Sequence, residues 1–389
     1  MDAQSGCYEF ESLPIFREPL CLIDEDINIV PEVLKQVKTI DCPLVVVAVT
    51  GLYRTGKSYL MNRLAGLKRG FQLGHTVEPE TKGIWALCKI NPTKRDHVLM
   101  FLDTEGLCYV GKEDSSHDNK IFVLSTLLSN VLLYNIYSCF NSDAIEKTTF
   151  ITELSKNIKF QNTKEEDSSD KLHTIMPTFV LCLRDFCLCL EKDGVEISAD
   201  EYLEACLEIN CKHGVYDRDS DWARKCIKKY FPQRKCFTFD RPADRMNINR
   251  LEDTYEANLS EEFREDIDRL RKYIYNLTPV ASANSIPVTG TVFSHLVRTY
   301  TQAIREGKIP DVDDAFTVAK KFENERKRQN AILEFQSQIS QIKLPILDKI
   351  ELESSFEKIQ KSVVTTFRPQ FTLAAYGIKA ELLQAHHSL

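Results

Sequence analysis

The chain has 389 residues, of which 43% are hydrophobic and 28% charged, and its net charge is −7. That is more chain than one compact domain needs, with ample apolar material for a core, so two domains or one domain with an extension are expected. The acidic balance argues against a broad electrostatic grip on nucleic acid or anionic lipid, and the short basic runs Lys68-Arg69 and Lys225 to Arg234 read as solvated faces.

The 13 cysteines include no Cys-x-x-Cys pair, and Cys206, Cys211 and His213 lack a zinc spacing, so reduced thiols in a cytoplasmic protein are expected. The N-terminus is acidic and has no leader pattern. The longest apolar stretch, Ile121 to Tyr137, is interrupted by Ser125, Ser129, Asn130 and Asn135 and reads as a buried helix running into a buried strand. The chain ends His386-His387-Ser388-Leu389, without a prenylation cysteine. No integral membrane segment is expected, and membrane attachment would have to come through a partner.

In chain order, residues 1–37 read as irregular, punctuated by Pro14, Pro19 and Pro31, with a helix-like run at Glu32 to Val37. Leu44 to Val49 is a short β-branched run of the kind that forms a strand buried on both faces. A glycine-rich turn follows, then a helix is predicted over Lys57 to Leu67. Further strands are predicted at Ile84–Ile90, Val98–Leu102, Val131–Ile136, Thr178–Leu183 and Cys236–Phe239, with helical patterns between several of them. Gln161 to Asp170 reads as an exposed loop, and Ser198-Ala199-Asp200-Glu201 as a capping box that opens a helix. After about Pro287 the strand signals stop. Val292, Phe293, Leu296, Val297, Tyr300 and Ile304 recur at helical spacing before Gly307, and a second helix is predicted from Asp311 towards Ile342. The fold class expected is α/β: a P-loop domain with a mostly parallel central sheet flanked by helices, followed by a short all-α segment. The domain boundaries are an N-terminal extension at 1–40, the α/β domain at 41–286 and a partial helical domain at 287–389.

Gly51-Leu52-Tyr53-Arg54-Thr55-Gly56-Lys57-Ser58 matches the P-loop pattern in full, between a buried strand and a helix. The glycines let successive backbone N–H groups turn inward onto phosphate oxygens. Lys57 brings a positive charge to the β- and γ-phosphates, and Ser58 offers its hydroxyl to Mg²⁺ at a helix N-terminus. Asp103-Thr104-Glu105-Gly106 ends an apolar strand and places a carboxylate near that metal, with the Gly106 N–H within reach of the γ-phosphate. The P-loop does not choose the base. Asp185, after the strand Thr178–Leu183, stands where a carboxylate could accept from guanine, but Arg184-Asp185 read alone is equally a surface ion pair.

The motifs Gly51 to Asn62, Thr81 to Trp85, Leu102 to Leu107 and Leu183 to Phe186 together closely resemble the guanylate-binding proteins, large interferon-inducible GTPases related to dynamin, over about Met1 to Phe367. The resemblance implies a GTPase domain that hydrolyses GTP to GDP, with a further step to GMP left open. It implies activation when G domains pair, as a homodimer or with related large GTPases, and a part in innate immune defence, with recruitment to vesicle membranes through partners. It also implies residue roles. Arg54 is a finger arginine held in cis, and Thr81 ligates Mg²⁺ with Ser58 and positions the attacking water. Asp103 stands behind the metal, while Glu105 and Gly106 sense the γ-phosphate, with Thr104 and Leu107 in the same segment. Leu73, Gly74 and His75 contact the nucleotide. Asp185 reads guanine with Arg184 beside it, and about Asp240 to Leu259 caps the base and forms the dimer face. Trp85 reads as core.

Two departures stand out. Pro79 replaces a serine that helps place water in many relatives, and proline offers neither hydroxyl nor N–H. Relatives continue into a long helical stalk that the sequence after Phe371 does not resemble, which suggests a truncated or alternatively spliced form. The alternative function is therefore a catalytically weak, GTP-dependent module that pairs with full-length relatives. Atlastin-like tethering would need membrane spans, and an ATP-using P-loop enzyme is a further alternative that competition of labelled GTP by excess ATP would decide.

Overall fold

The computed structural model describes residues 15–74, 80–108, 115–146, 176–209, 218–243, 251, 254, 258–278, 287–342 and 349–367. They fall into two compact units: the first comprises the described residues up to 278 together with Val288–Ala315, and Phe316 opens the helical part of the second.

The first unit is built on a sheet of seven strands. In chain order these are β1 (Leu20–Ile23), β2 (Leu44–Thr50), β3 (Ile84–Ile90), β4 (Val98–Thr104), β5 (Val131–Tyr137), β6 (Thr178–Arg184) and, after a small β7–β8 hairpin (Glu191–Lys192 and Val195–Glu196), β9 (Arg234–Phe239). The spatial order is β1-β3-β4-β2-β5-β6-β9. β4, β2, β5, β6 and β9 run parallel, while β1 and β3 join antiparallel at one edge. Every residue of β2 is buried, as its unbroken apolar run requires for a strand covered on both faces. From β2 the chain builds outward to β4 on one side and to β5, β6 and β9 on the other. The loops at the carboxyl end of β2 therefore diverge and leave a crevice, which is where open α/β sheets place their ligands.

The helices between the strands are α1 (Pro31–Lys38), α2 (Lys57–Leu64), α3 (Ser115–Leu127), α4 (Ser142–Glu146), α5 (Ala199–Cys206) and α6 (Arg218–Tyr230), and α7 (Glu261–Asn276) and α8 (Gly290–Arg305) follow the last strand. α2 stops three residues before the predicted end, where Gly66 takes φ 67°. The capping box opens α5 as expected: the Ser198 hydroxyl accepts from Glu201 N–H at 3.2 Å, and the Glu201 carboxylate accepts from Ser198 N–H at 2.7 Å. The expected loop at Gln161 to Asp170 lies outside the described residues.

From Leu20 onward the chain joins the sheet and helices of the first unit. Leu20–Ile23 pairs with β3 as an edge strand with an irregular register at Cys21/Ile23. A strand of four residues directly after Pro19 gives too little alternation to be read from the sequence. α1 packs on α8 closely enough that a Cβ on Gly290 would lie 1.9 Å from the Val37 carbonyl oxygen, and Gly290 N–H donates to Ile40 C=O at 2.8 Å. All six predicted apolar positions of α8 are buried. Gly290→Ala is therefore expected to destabilise the protein by about 3 kcal/mol, because backbone rather than a flexible side chain must move. The effect would be read as a lower urea midpoint at unchanged slope, and a loss below about 1 kcal/mol would mean that α8 is free to slide.

The second unit contains most of α9 (Val312–Ser340) and α10 (Lys349–Phe367). Its core is formed by Ala331, Phe335 and Val363, with Ile332, Ile339, Phe356, Ile359 and Val364 packed around them. Among the described residues no helix is long and apolar enough to cross a membrane.

Candidate functional site

The turn between β2 and α2 forms a cradle. Gly51 has φ 141° and Gly56 φ 77°, conformations that L side chains rarely adopt. A Cβ on Gly51 would meet the Asn135 carbonyl oxygen at 2.2 Å, so the loop can lie against β5 only with glycine there. Gly56 caps α2, whose N-terminal N–H groups and partial positive charge face the loop. The Thr55 hydroxyl and the Lys57 ammonium both donate to Leu52 C=O, at 2.9 and 3.1 Å. The Asn135 side chain donates to Thr55 C=O at 2.7 Å.

The end of β4 closes one side of the cradle. Tyr53 N–H donates to Leu107 C=O at 3.0 Å, and Leu107 N–H to Gly51 C=O at 3.1 Å. A Cβ on Gly106 would stand 2.6 Å from Tyr53 Cα, so glycine is what allows this approach. The Thr104 hydroxyl donates to Val49 C=O at 2.7 Å and the Leu107 side chain is buried. Both side chains thus serve the sheet, and these two residues can offer a ligand only backbone.

Ser58, Thr81 and Asp103 converge from three separate segments. Ser58 Oγ donates to Asp103 Oδ2 at 2.6 Å, Thr81 Oγ1 lies 3.4 Å from the same oxygen, and the two hydroxyls are 3.3 Å apart. Asp103 is fully buried, and its other oxygen, Oδ1, has no hydrogen-bond partner among the described residues. Burial pushes Asp103 up to about 6, against the Ser58 hydrogen bond and the Lys57 charge. Burial likewise pulls Lys57 down to about 8, opposed by Asp103, Glu105 and Asp118 in that order. The site thus holds a buried cation and a buried carboxylate that attract each other, and both lack the solvation that an anionic ligand with its counter-cation would supply.

Glu105 links the Thr81 segment to β4. Its Oε2 accepts from Gly83 N–H at 3.0 Å, its own N–H donates to Gly83 C=O at 3.0 Å, and its Oε1 lies 2.6 Å from His117 Nε2 at the start of α3. Gly83 in turn lies against β1, where a Cβ would meet the Ile23 carbonyl oxygen at 2.2 Å. Trp85 is only half-buried, with its indole N–H on Lys82 C=O at 2.9 Å, so it does not belong to the core as predicted.

Arg54 has φ 63°, and its guanidinium is engaged rather than loose. Nη1 donates to Gly74 C=O at 2.7 Å and Nε to Tyr53 Oη at 2.9 Å. This brings Gly74, which follows Leu73, beside the cradle; His75 and Pro79 lie outside the described residues. Asp185 stands at the end of β6 with φ 54°, and its Oδ2 pairs with Arg241 Nε at 3.2 Å. Arg184 is not its partner. The Arg184 guanidinium is buried 5.5 Å above the Phe239 ring and 5.3 Å from that of Phe263, so the reading of Arg184-Asp185 as a surface pair fails. Asn135, Tyr137, Gly83 and His117 were not singled out from the sequence. Asn135 carried a usable signal, since a polar side chain inside an apolar buried strand has to find a partner.

The strand order, the cradle and the β4 end together define an α/β P-loop GTPase domain followed by a helical segment. Two family models match the chain: "Guanylate-binding protein, N-terminal domain" over residues 24–282 and "Guanylate-binding protein, C-terminal domain" over 284–370. The chain belongs to the guanylate-binding protein family. It is 39% identical over 378 residues to guanylate-binding protein 1 of Chlorocebus aethiops, a match covering 94% of this chain and 64% of that protein. With guanylate-binding protein 2 of Homo sapiens it shares 39% identity over 358 residues, covering 90% and 60%. With guanylate-binding protein 3 of Homo sapiens the figures are 40% over 336 residues, covering 84% and 56%. The chain thus spans about three fifths of the length of these relatives.

Proposed function

We propose that this chain binds GTP with Mg²⁺ and hydrolyses it to GDP. The observation that carries the reading is the convergence of Ser58, Thr81 and Asp103 beside the buried Lys57. Two hydroxyls and a buried carboxylate with one oxygen unpartnered make a hard-oxygen set that suits Mg²⁺. Ser58 and Thr81 would hold it, and when bound it supplies positive charge to the phosphate oxygens. The backbone N–H groups of Gly51 to Ser58 bind the phosphates and Lys57 neutralises them. Thr81 orients the attacking water, and Glu105 keeps the Thr81 segment in register with β4 through Gly83. Gly106 N–H meets the γ-phosphate. Asp185 accepts from the guanine N–H groups, in keeping with relatives named for guanylate binding. To reach the phosphates the Arg54 guanidinium must exchange Gly74 and Tyr53 for them, and we assign that exchange to the pairing of two G domains, in a homodimer or with a related large GTPase.

A cytoplasmic location, recruitment to vesicle membranes through partners and a role in interferon-linked defence follow from the family likeness.

The test is GTP turnover measured over a range of protein concentrations, with GDP and GMP resolved. Specific activity is expected to rise with concentration. A flat profile would sink activation by pairing, and absence of turnover would sink the enzyme. GTP-dependent capture of a full-length relative without turnover would favour the interaction-module reading. Asp185→Asn in the same assay is expected to shift preference from guanine to xanthine nucleotides, and competition by excess ATP would count against Asp185 as the base reader.

A further inference from the structure

The cradle is fastened from β5 at two consecutive peptides. Asn135 Nδ2 donates to Thr55 C=O at 2.7 Å, and two residues further along the strand Tyr137 Oη donates to Arg54 C=O at 3.0 Å. Residues i and i+2 of a strand share a face, so both side chains reach the loop from the same side. The second contact falls on a costly conformation, because a non-glycine residue at φ 63° persists only where its surroundings hold it. In a trans peptide the C=O and the following N–H point opposite ways. Fixing the Arg54 carbonyl on Tyr137 therefore also fixes the direction of the Thr55 N–H and the exit angle of the Arg54 side chain.

Tyr137 is well placed to be spent on this contact. It lies at the end of β5 opposite Arg184 of β6, and it is half-exposed at the mouth of the crevice. Burial raises its phenol above the ordinary tyrosine value, so the hydroxyl keeps the proton it donates. The ring is not needed to fill the core.

We propose that Tyr137 is a positioning residue for catalysis: its hydroxyl, through the Arg54 carbonyl, holds the left-handed turn from which the Arg54 guanidinium is delivered to the phosphates. This deepens the GTPase reading above and rests on it. Its consequence is a residue that affects turnover more than affinity, since phosphate binding is shared over the N–H groups of the whole loop whereas delivery draws on this one peptide.

The experiment compares Tyr137→Phe with the wild type, each with Arg54 intact and as Arg54→Ala, in GTP turnover and GTP affinity. With Arg54 present, Tyr137→Phe is expected to lower kcat about five- to tenfold, the size of one hydrogen bond, with affinity changed less than about twofold. With Arg54→Ala the same substitution is expected to change kcat by less than about twofold. Equal kcat in Tyr137→Phe and wild type would overturn the proposal, and so would the same loss in both backgrounds, which marks a general loosening of the loop. The Arg54 side-chain Nε–H resonance provides a readout that does not depend on turnover. It is expected to shift or broaden in Tyr137→Phe, and an unchanged signal would overturn the proposal. If the wild type itself does not turn over GTP, the enzyme reading fails, and the resonance alone decides whether Tyr137 positions Arg54.

Discussion

Arg54→Ala is expected to cut GTP turnover by about a thousandfold while leaving nucleotide affinity within a fewfold of the wild type. An arginine delivered to the transferring phosphoryl group is worth about 10³–10⁵ in rate, because it meets charge that develops only in the transition state. In the nucleotide-free structure its guanidinium is occupied elsewhere, on Gly74 C=O and Tyr53 Oη, 5.2 Å above the Tyr53 ring. Removing it therefore costs the bound nucleotide little, and the loss should appear in kcat rather than in KM. Lysine at this position would keep the charge and lose the planar fork, so Arg54→Lys is expected to recover little of the rate. The assay is single-turnover hydrolysis under saturating enzyme, paired with equilibrium binding of a non-hydrolysable GTP analogue. A loss of affinity that accounts for the whole loss of rate would reduce Arg54 to a phosphate-binding residue.

The parts of the fold legible in the sequence are those with strong local periodicity. β2, with seven buried residues, and α8, with all six predicted apolar positions buried, followed directly from their patterns. β1 did not, because an edge strand of four residues is defined by its partner β3 rather than by its own text. The P-loop and the Asp103 segment were readable as motifs, and the structure adds what no spacing reveals. Gly106 is glycine because Tyr53 Cα would lie 2.6 Å from its Cβ, and Thr104 turns away from the site onto Val49. Arg184 and Asp185 are adjacent in sequence yet point to different environments, one between two phenyl rings and the other onto Arg241. Such divergence is set by contacts more than 50 residues away, beyond the reach of local reasoning.

Lys57→Met is expected to lower nucleotide affinity by at least about a hundredfold and yet to raise the melting temperature of the nucleotide-free protein at pH 7. The loss of binding follows from removing the one cation of the P-loop that is fixed inside the cradle. The gain in stability follows from the sign of its shift. The folded Lys57 value, about 8, lies below the ordinary 10.5, so between those values the unfolded chain binds more protons. Wild-type stability therefore carries the full cost of the buried charge below pH 8 and recovers it as pH rises from 8 towards 10.5. That cost is about 3 kcal/mol, and Asp103 opposes its removal. Asp103 is already raised to about 6 with Lys57 beside it, and it would rise further once that cation is gone and take up a proton near neutrality. The net gain is accordingly smaller, about 1–2 kcal/mol, or a few degrees in a domain of this size. Thermal melts of both proteins without nucleotide at pH 7 and pH 9.5 check the argument. The difference between them should shrink at the higher pH, where the wild-type lysine has lost its proton. A variant that melts below the wild type at pH 7 would show that the ion pair with Asp103 outweighs the burial of Lys57, and the cradle would then be a stabilising element rather than one held ready for an anion at a cost to the fold.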